Sequence, residues 1–156
     1  MGCSSVKTLG EQSENLMSRV AGTSILLAED NPQDAFLLKE AFLMEKVDVQ
    51  IDCVSDGDQL LSRLHTLTED TPSLYDLVLL DAHLPRRNAE EVLSLLRGAK
   101  KTVPMPVVVL TALVSDHDKT RLLQLGVSEV LSKPVDLGEY FTLVRRLVSI
   151  LDGTTP

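Results

Sequence analysis

The chain has no tryptophan, and its three phenylalanines and two tyrosines make aromatic residues only 3% of 156 positions. Cations are also in short supply, with 15 Lys and Arg against 23 Asp and Glu and a formal charge of −8. A surface so acidic repels a phosphate backbone, so direct nucleic-acid binding is not expected. The only cysteines are Cys3 and Cys53, one near the N-terminus and one inside an apolar run. They form neither a disulfide framework nor a zinc spacing, which points to a reducing cytoplasm. No apolar stretch approaches the roughly 20 residues of a membrane span. The first residues also lack the apolar centre of a signal peptide. The opening Met1-Gly2-Cys3-Ser4-Ser5-Val6 misses the myristoylation pattern, which needs Ser or Thr where Val6 stands. Internal repeats, low-complexity tracts and glycine-rich phosphate loops are absent, and the nucleotide-binding fingerprints go with them.

What remains is enough for one domain, since a chain of about 150 residues buries about two thirds of its unfolded surface. Polar residues dominate positions 1–22, which read as a flexible tail, and 153–156 close the chain with a short polar tail. Between them, over 23–152, short apolar runs alternate with longer amphipathic stretches. Strands are expected at Ser24 to Ala28, Val49 to Val54, Leu77 to Leu80, Val107 to Leu110 and Glu129 to Leu131. Helices are expected from Pro32 to Met44, Gly57 to Leu67, Ala89 to Arg97, Asp116 to Leu125 and Leu137 to Leu151. Strict alternation with fully apolar central strands calls for a doubly wound α/β sandwich of three layers, (βα)5, with a flavodoxin-like parallel sheet. Its common strand order is 2-1-3-4-5, and functional groups gather beyond the carboxyl ends of strands 1 and 3, where the order reverses.

At that rim the sequence places Glu29 and Asp30 after strand 1, Asp81 after strand 3, Thr111 after strand 4, and Lys133-Pro134 after strand 5. Each has an ordinary explanation as a cap, a strand end or a solvated charge. Together they do not, because three carboxylates at one edge repel unless a cation sits among them. A hard divalent ion such as Mg²⁺ suits oxygen ligands of this kind. A metal, the Lys133 ammonium and the Thr111 hydroxyl then provide what a phosphoryl group needs, with Asp81 placed as the nucleophile that becomes an aspartyl phosphate.

These residues resemble those of bacterial response-regulator receiver domains over about residues 24–150. The likeness rests on Leu26-Leu27-Ala28-Glu29-Asp30-Asn31, Asp81-Ala82-His83-Leu84-Pro85, Thr111-Ala112, Gly126-Val127 and Lys133-Pro134, in that order. The resemblance implies that Asp81 takes a phosphoryl group from a sensor histidine kinase. It makes Asp30, Asp81 and the His83 backbone carbonyl ligands of Mg²⁺, with Glu29 acting through a coordinated water. Thr111, Ala112 and Lys133 become the phosphate-binding and switch residues, and a cis peptide is implied before Pro134.

Three departures bear on function. Asn88-Ala89 replaces an acidic or polar residue and a glycine, so the preceding loop is expected to be reshaped, because alanine tolerates positive φ poorly. Val130 stands where an aromatic switch residue is usual. His83 brings an imidazole two residues after the acceptor, where it can approach an attacking water, although a loop histidine is more often merely solvated. Arg86-Arg87 either docks an acidic partner or, the simpler expectation, solvates the loop. Leu122, Leu123, Leu125, Leu143, Val144 and Leu147 are chiefly core residues, and any exposed part belongs to a homodimer face on helix 4, strand 5 and helix 5. His65 and His117 lack metal-ligand spacing and are expected at the surface.

The expectation is therefore a single-domain phosphoacceptor switch, a signalling domain that only assists its own phosphorylation and dephosphorylation. Within the family, the Leu84-Pro85-Arg86-Arg87 loop and the Val135-Asp136-Leu137 helix start look like regulators serving bacterial phytochrome kinases. Two rivals stay open. A degenerate receiver would only bind a partner, and an aspartyl-nucleophile phosphatase would need an acid at the position of His83.

Overall fold

The computed structural model describes residues 22–65, 75–97, 106–112 and 115–153. The flexible tail expected at 1–22 and the close at 153–156 fall almost wholly outside them, as do the last residues expected in the second helix. In chain order the elements are β1 (Thr23–Ala28), α1 (Pro32–Met44), β2 (Val49–Val54), α2 (Gly57–His65), β3 (Leu77–Asp81), α3 (Ala89–Arg97), β4 (Val107–Thr111), α4 (Asp116–Gln124), β5 (Glu129–Ser132) and α5 (Leu137–Asp152). All strand pairs are parallel and the order is β2-β1-β3-β4-β5.

The three central strands carry continuous apolar runs, Ile25 to Ala28, Leu77 to Leu80 and Val107 to Leu110, because both of their faces are covered. Side chains alternate across the sheet. Leu26, Val78, Leu80, Val107 and Val109 point into a core roofed by α2, α3 and α4. Ile25, Leu27, Leu77, Leu79, Val108 and Leu110 point into a second core under α1 and α5. Among the described residues no helix is long and apolar enough to cross a membrane.

Helix starts follow local chemistry. Asn31 caps α1, its side chain accepting from the Gln33 and Asp34 amides, and Pro32 occupies the first turn, where its missing N–H costs nothing. Asp136 caps α5 and Glu139 reaches back to the Val135 amide, a reciprocal arrangement. Asn88 and Glu91 exchange the same kind of bonds at the start of α3. That exchange explains Asn88-Ala89: Ala89 is buried in the first turn of α3 with an ordinary φ, and the positive φ of this loop falls on Arg86.

Candidate functional site

Parallel strands bring all their carboxyl ends to one edge, and β1 and β3 are neighbours whose outgoing connections leave on opposite faces of the sheet. Glu29 follows the last residue of β1, and Asp81 is the last residue of β3. Glu29, Asp30 and Asp81 each offer a carboxylate oxygen within 4.8 Å of the others. Glu29 and Asp81 are buried, whereas Asp30 is exposed.

Lys133, carried just past β5, closes the cluster. Its ammonium donates to Glu29 Oε1 at 2.8 Å, to Asp81 Oδ2 at 3.1 Å and to Asp34 Oδ2 at 3.1 Å, using all three of its protons. Its backbone amide donates to the Thr111 carbonyl at 2.8 Å, which ties β5's exit to β4's end. The second oxygen of Asp81 accepts the His83 amide at 3.1 Å, and Glu29 Oε2 accepts the Asn31 amide at 3.1 Å. Thr111 is buried at the end of β4, and Ala112 beside it is exposed.

Three carboxylates thus pair with one ammonium, with Asp30 beside two of them, and burial and charge together shift the proton affinities of Glu29 and Lys133. Burial pushes the Glu29 carboxyl up to about 7; hydrogen bonds from Lys133 and Asn31 pull it back and the Asp81 charge adds to the rise. Burial alone would lower the Lys133 ammonium, but its bonds to Glu29, Asp81 and Asp34 outweigh this and raise it, so it stays charged. Burial, followed by the Asp34 charge, raises the nearby Tyr140 hydroxyl to about 12. The donor set fits a hard cation: it is all oxygen, it carries surplus negative charge, and exposed Asp30 leaves it open toward solvent.

Of the sequence-based site residues, Glu29, Asp30, Asp81, the His83 amide and Lys133 meet in one cluster, and one expectation is corrected. No peptide bond is cis among the described residues, so the bond before Pro134 is trans, contrary to the expectation. Trans is the lower form of an X–Pro bond by about 0.5–1 kcal/mol. With it Lys133 already reaches three carboxylates.

Two participants were missed. Asp34, an acid in the first turn of α1, is the third anchor of Lys133, and nothing local to it signals that contact. Tyr140 of α5 lines the same crevice behind Lys133. Arg86 and Arg87 are not simply solvated, because both pair with acids of α2 or the turn before it. His83 and His117 are exposed, and the side chain of His65 lies outside the described residues. Val130 is buried and helps line a cavity of about 240 Å³ beside Thr111, Ala82 and Leu122. Leu122, Leu143, Val144 and Leu147 are buried as expected, while Leu123 is 43% exposed.

Fold and rim together define a class, an α/β domain that presents a buried carboxylate inside an acidic, lysine-braced cluster at the carboxyl edge of a parallel sheet. The response regulator receiver domain family matches residues 25–145, and the chain belongs to it. The chain is 37% identical over 111 residues to the probable methanogenesis regulatory protein FilR2 of Methanothrix harundinacea (strain 6Ac), covering 71% of this chain and 72% of that protein. It is also 37% identical over 127 residues to the transcriptional regulatory protein CpxR of Escherichia coli (strain K12), covering 81% of this chain and 48% of CpxR. It spans about half the length of the transcriptional regulators it matches.

Among solved structures, the phosphorylated cyanobacterial phytochrome response regulator RcpA is similar at 29% identity and a TM-score of 0.75, with 87% of this chain and 98% of that one covered. The Mn²⁺-bound response regulator Rcp1 has 29% identity, a TM-score of 0.72 and coverage of 86% and 97%. The receiver domain of the sensor histidine kinase PA1611 of Pseudomonas aeruginosa PAO1, with a magnesium ion in its active site cleft, has 26% identity, a TM-score of 0.66 and coverage of 85% and 99%. This is a receiver domain of the two-component type, a class that works with sensor histidine kinases.

Proposed function

We propose that Asp81 is the phosphoacceptor and that the domain switches when a sensor histidine kinase phosphorylates it. One observation carries this: Asp81 is buried, braced by Lys133 and grouped with Glu29 and Asp30 at the edge where the sheet order reverses. An Asp81 oxygen attacks the phosphorus of a phosphohistidine, the P–N bond breaks, and the imidazole leaves with a proton from solvent. Mg²⁺, held by Asp30, Asp81, the His83 carbonyl and, through water, Glu29, would neutralise charge on the phosphoryl oxygens.

Lys133 keeps its charge beside the acceptor and pairs with a phosphoryl oxygen. The Thr111 hydroxyl and the Ala112 amide supply hydrogen bonds to the other oxygens. Drawing Thr111 toward the phosphoryl group alters packing around Val130 and Leu122, so the surface of α4, β5 and α5 changes and shifts partner binding or dimerisation. The likeness to the phytochrome response regulator RcpA supports a kinase of the phytochrome class as donor.

The test is intact mass after incubation with Mg²⁺ and an acyl phosphate donor. One phosphoryl adduct is expected on the native chain and none on Asp81→Asn. An adduct of equal yield on Asp81→Asn overturns the assignment, and release of many phosphates per chain from varied esters favours a phosphatase instead.

A further inference from the structure

Five residues beyond Asp81 the backbone does something costly. The Arg87 amide donates to the Pro85 carbonyl at 2.7 Å, closing a three-residue turn whose central residue, Arg86, has φ 69°. This form of γ-turn is rare and strained, and a non-glycine residue persists in it only where its surroundings over-determine it. Here they do. The Gly57 amide, at the start of α2, donates to the Pro85 carbonyl at 3.3 Å. A β-carbon on Gly57 would stand 2.6 Å from both the β-carbon and the carbonyl oxygen of Arg87, so the loop is seated directly on bare backbone. Two guanidinium groups then reach over that seat. Arg87 Nε meets Asp58 Oδ1 at 2.7 Å, Arg86 Nε meets Asp56 Oδ2 at 3.5 Å, and Arg86 Nη1 lies 3.9 Å from Asp58 Oδ2. Asp56 is itself immobilised, because its other oxygen caps α2 by accepting the Gln59 amide at 2.8 Å.

We infer that Arg86 and Arg87, with Asp56, Asp58 and Gly57, form a charge latch that holds the loop after the acceptor in its strained shape, and that they are positioning residues for phosphorylation of Asp81. The inference rests on the proposed role of Asp81. The loop begins at Ala82 and His83, whose amide already binds Asp81 Oδ1, and it ends where Ala89 donates to the Ala82 carbonyl at 3.3 Å. Strain released in the middle of so short a closed loop moves its His83 end. Exposed ion pairs add little to global stability, so the latch acts on loop shape more than on folding.

The test uses the full chain and three readouts: amide hydrogen exchange of residues 83–88 in EDTA, the rate of adduct formation with Mg²⁺ and acyl phosphate, and the urea midpoint. Arg87→Ala and Asp58→Asn are expected to speed exchange in 83–88 and to slow adduct formation about tenfold, the factor by which a tenfold smaller competent population cuts an apparent rate. The urea midpoint stays where it was. Arg86→Gly relieves the positive φ, so it holds or raises the midpoint while still slowing adduct formation, a split that a merely structural role cannot give. Arg87→Lys, and the exchanged pair Arg87→Asp with Asp58→Arg, recover most of the rate. Native exchange and native rates in Arg87→Ala and Arg86→Gly overturn the latch, as does a rate that falls only in step with stability. If the native chain takes no phosphoryl group, the phosphoacceptor role fails, and exchange in metal-free protein still decides the latch.

Discussion

Glu29→Gln isolates the titration of the rim, because glutamine keeps the shape of the side chain but carries no titratable proton. Its single carbonyl oxygen can accept from only one of Lys133 and Asn31, a loss that is the same at every pH. In the folded protein the Glu29 carboxyl is lifted from an ordinary 4.5 to about 7, chiefly by burial. Folding therefore favours the protonated form. The resulting stability is whole below about pH 4.5, falls as pH rises and is gone above about pH 7. The full span corresponds to about 3 kcal/mol. Little of it is screened away, since the side chain is only 4% exposed.

Urea unfolding in EDTA, run between about pH 5 and 8, reads the effect directly. The stability of Glu29→Gln minus that of the native chain should grow by about 2–3 kcal/mol over that range, with most of the growth complete near pH 7. With a slope of about 1–3 kcal/mol per molar urea, that is a separation of roughly 1 M or more between midpoints. Saturating Mg²⁺ stabilises the ionised carboxylates and should raise native stability more at pH 8 than at pH 5. A difference between variant and native chain that stays constant across this range in EDTA refutes the reasoning, because Glu29 would then titrate alike in folded and unfolded chains.

Other substitutions separate packing from chemistry. Gly57→Ala forces a β-carbon against Arg87 and should cost about 1–3 kcal/mol in urea unfolding. Leu147→Ala empties a fully buried site of α5 away from the rim and should cost about 2–5 kcal/mol, while adduct formation persists where the protein is folded. Asp136→Ala removes the cap that accepts the Glu139 amide and should cost about 0.5–2 kcal/mol, with amide exchange rising first at the start of α5.

The ten elements could be read from the chain because each declares itself locally. The apolar runs at 77–80 and 107–110 have no polar face to offer solvent, and Asn31-Pro32, Asn88 with Glu91, and Asp136 with Glu139 carry their capping chemistry within four residues. Most observed bounds coincide with the expected ones; β1 starts one residue earlier, β3, β4, β5 and α5 end one residue later, and α4 stops one residue earlier at Gln124, where Leu125 becomes its cap. The principal rim residues were also legible, because a parallel sheet sends every strand's carboxyl end to the same edge and each of Glu29, Asp81, Thr111 and Lys133 closes or follows a strand.

What composition and spacing could not carry was anything depending on which helix leans on which loop. Asp34 looks like an ordinary first-turn acid until Lys133, 99 positions later, is found 3.1 Å away. Gly57 looks like a helix start until Arg87 is seen packed on its α-carbon. The Arg86-Arg87 pair looks solvated until Asp56 and Asp58 stand opposite it. The peptide before Pro134 was expected cis and is trans. Local sequence sets periodicity, caps and strand polarity because these act over a few residues. Contacts between distant segments, and the proton affinity of Glu29 that follows from them, exist only once both cores have closed and excluded water.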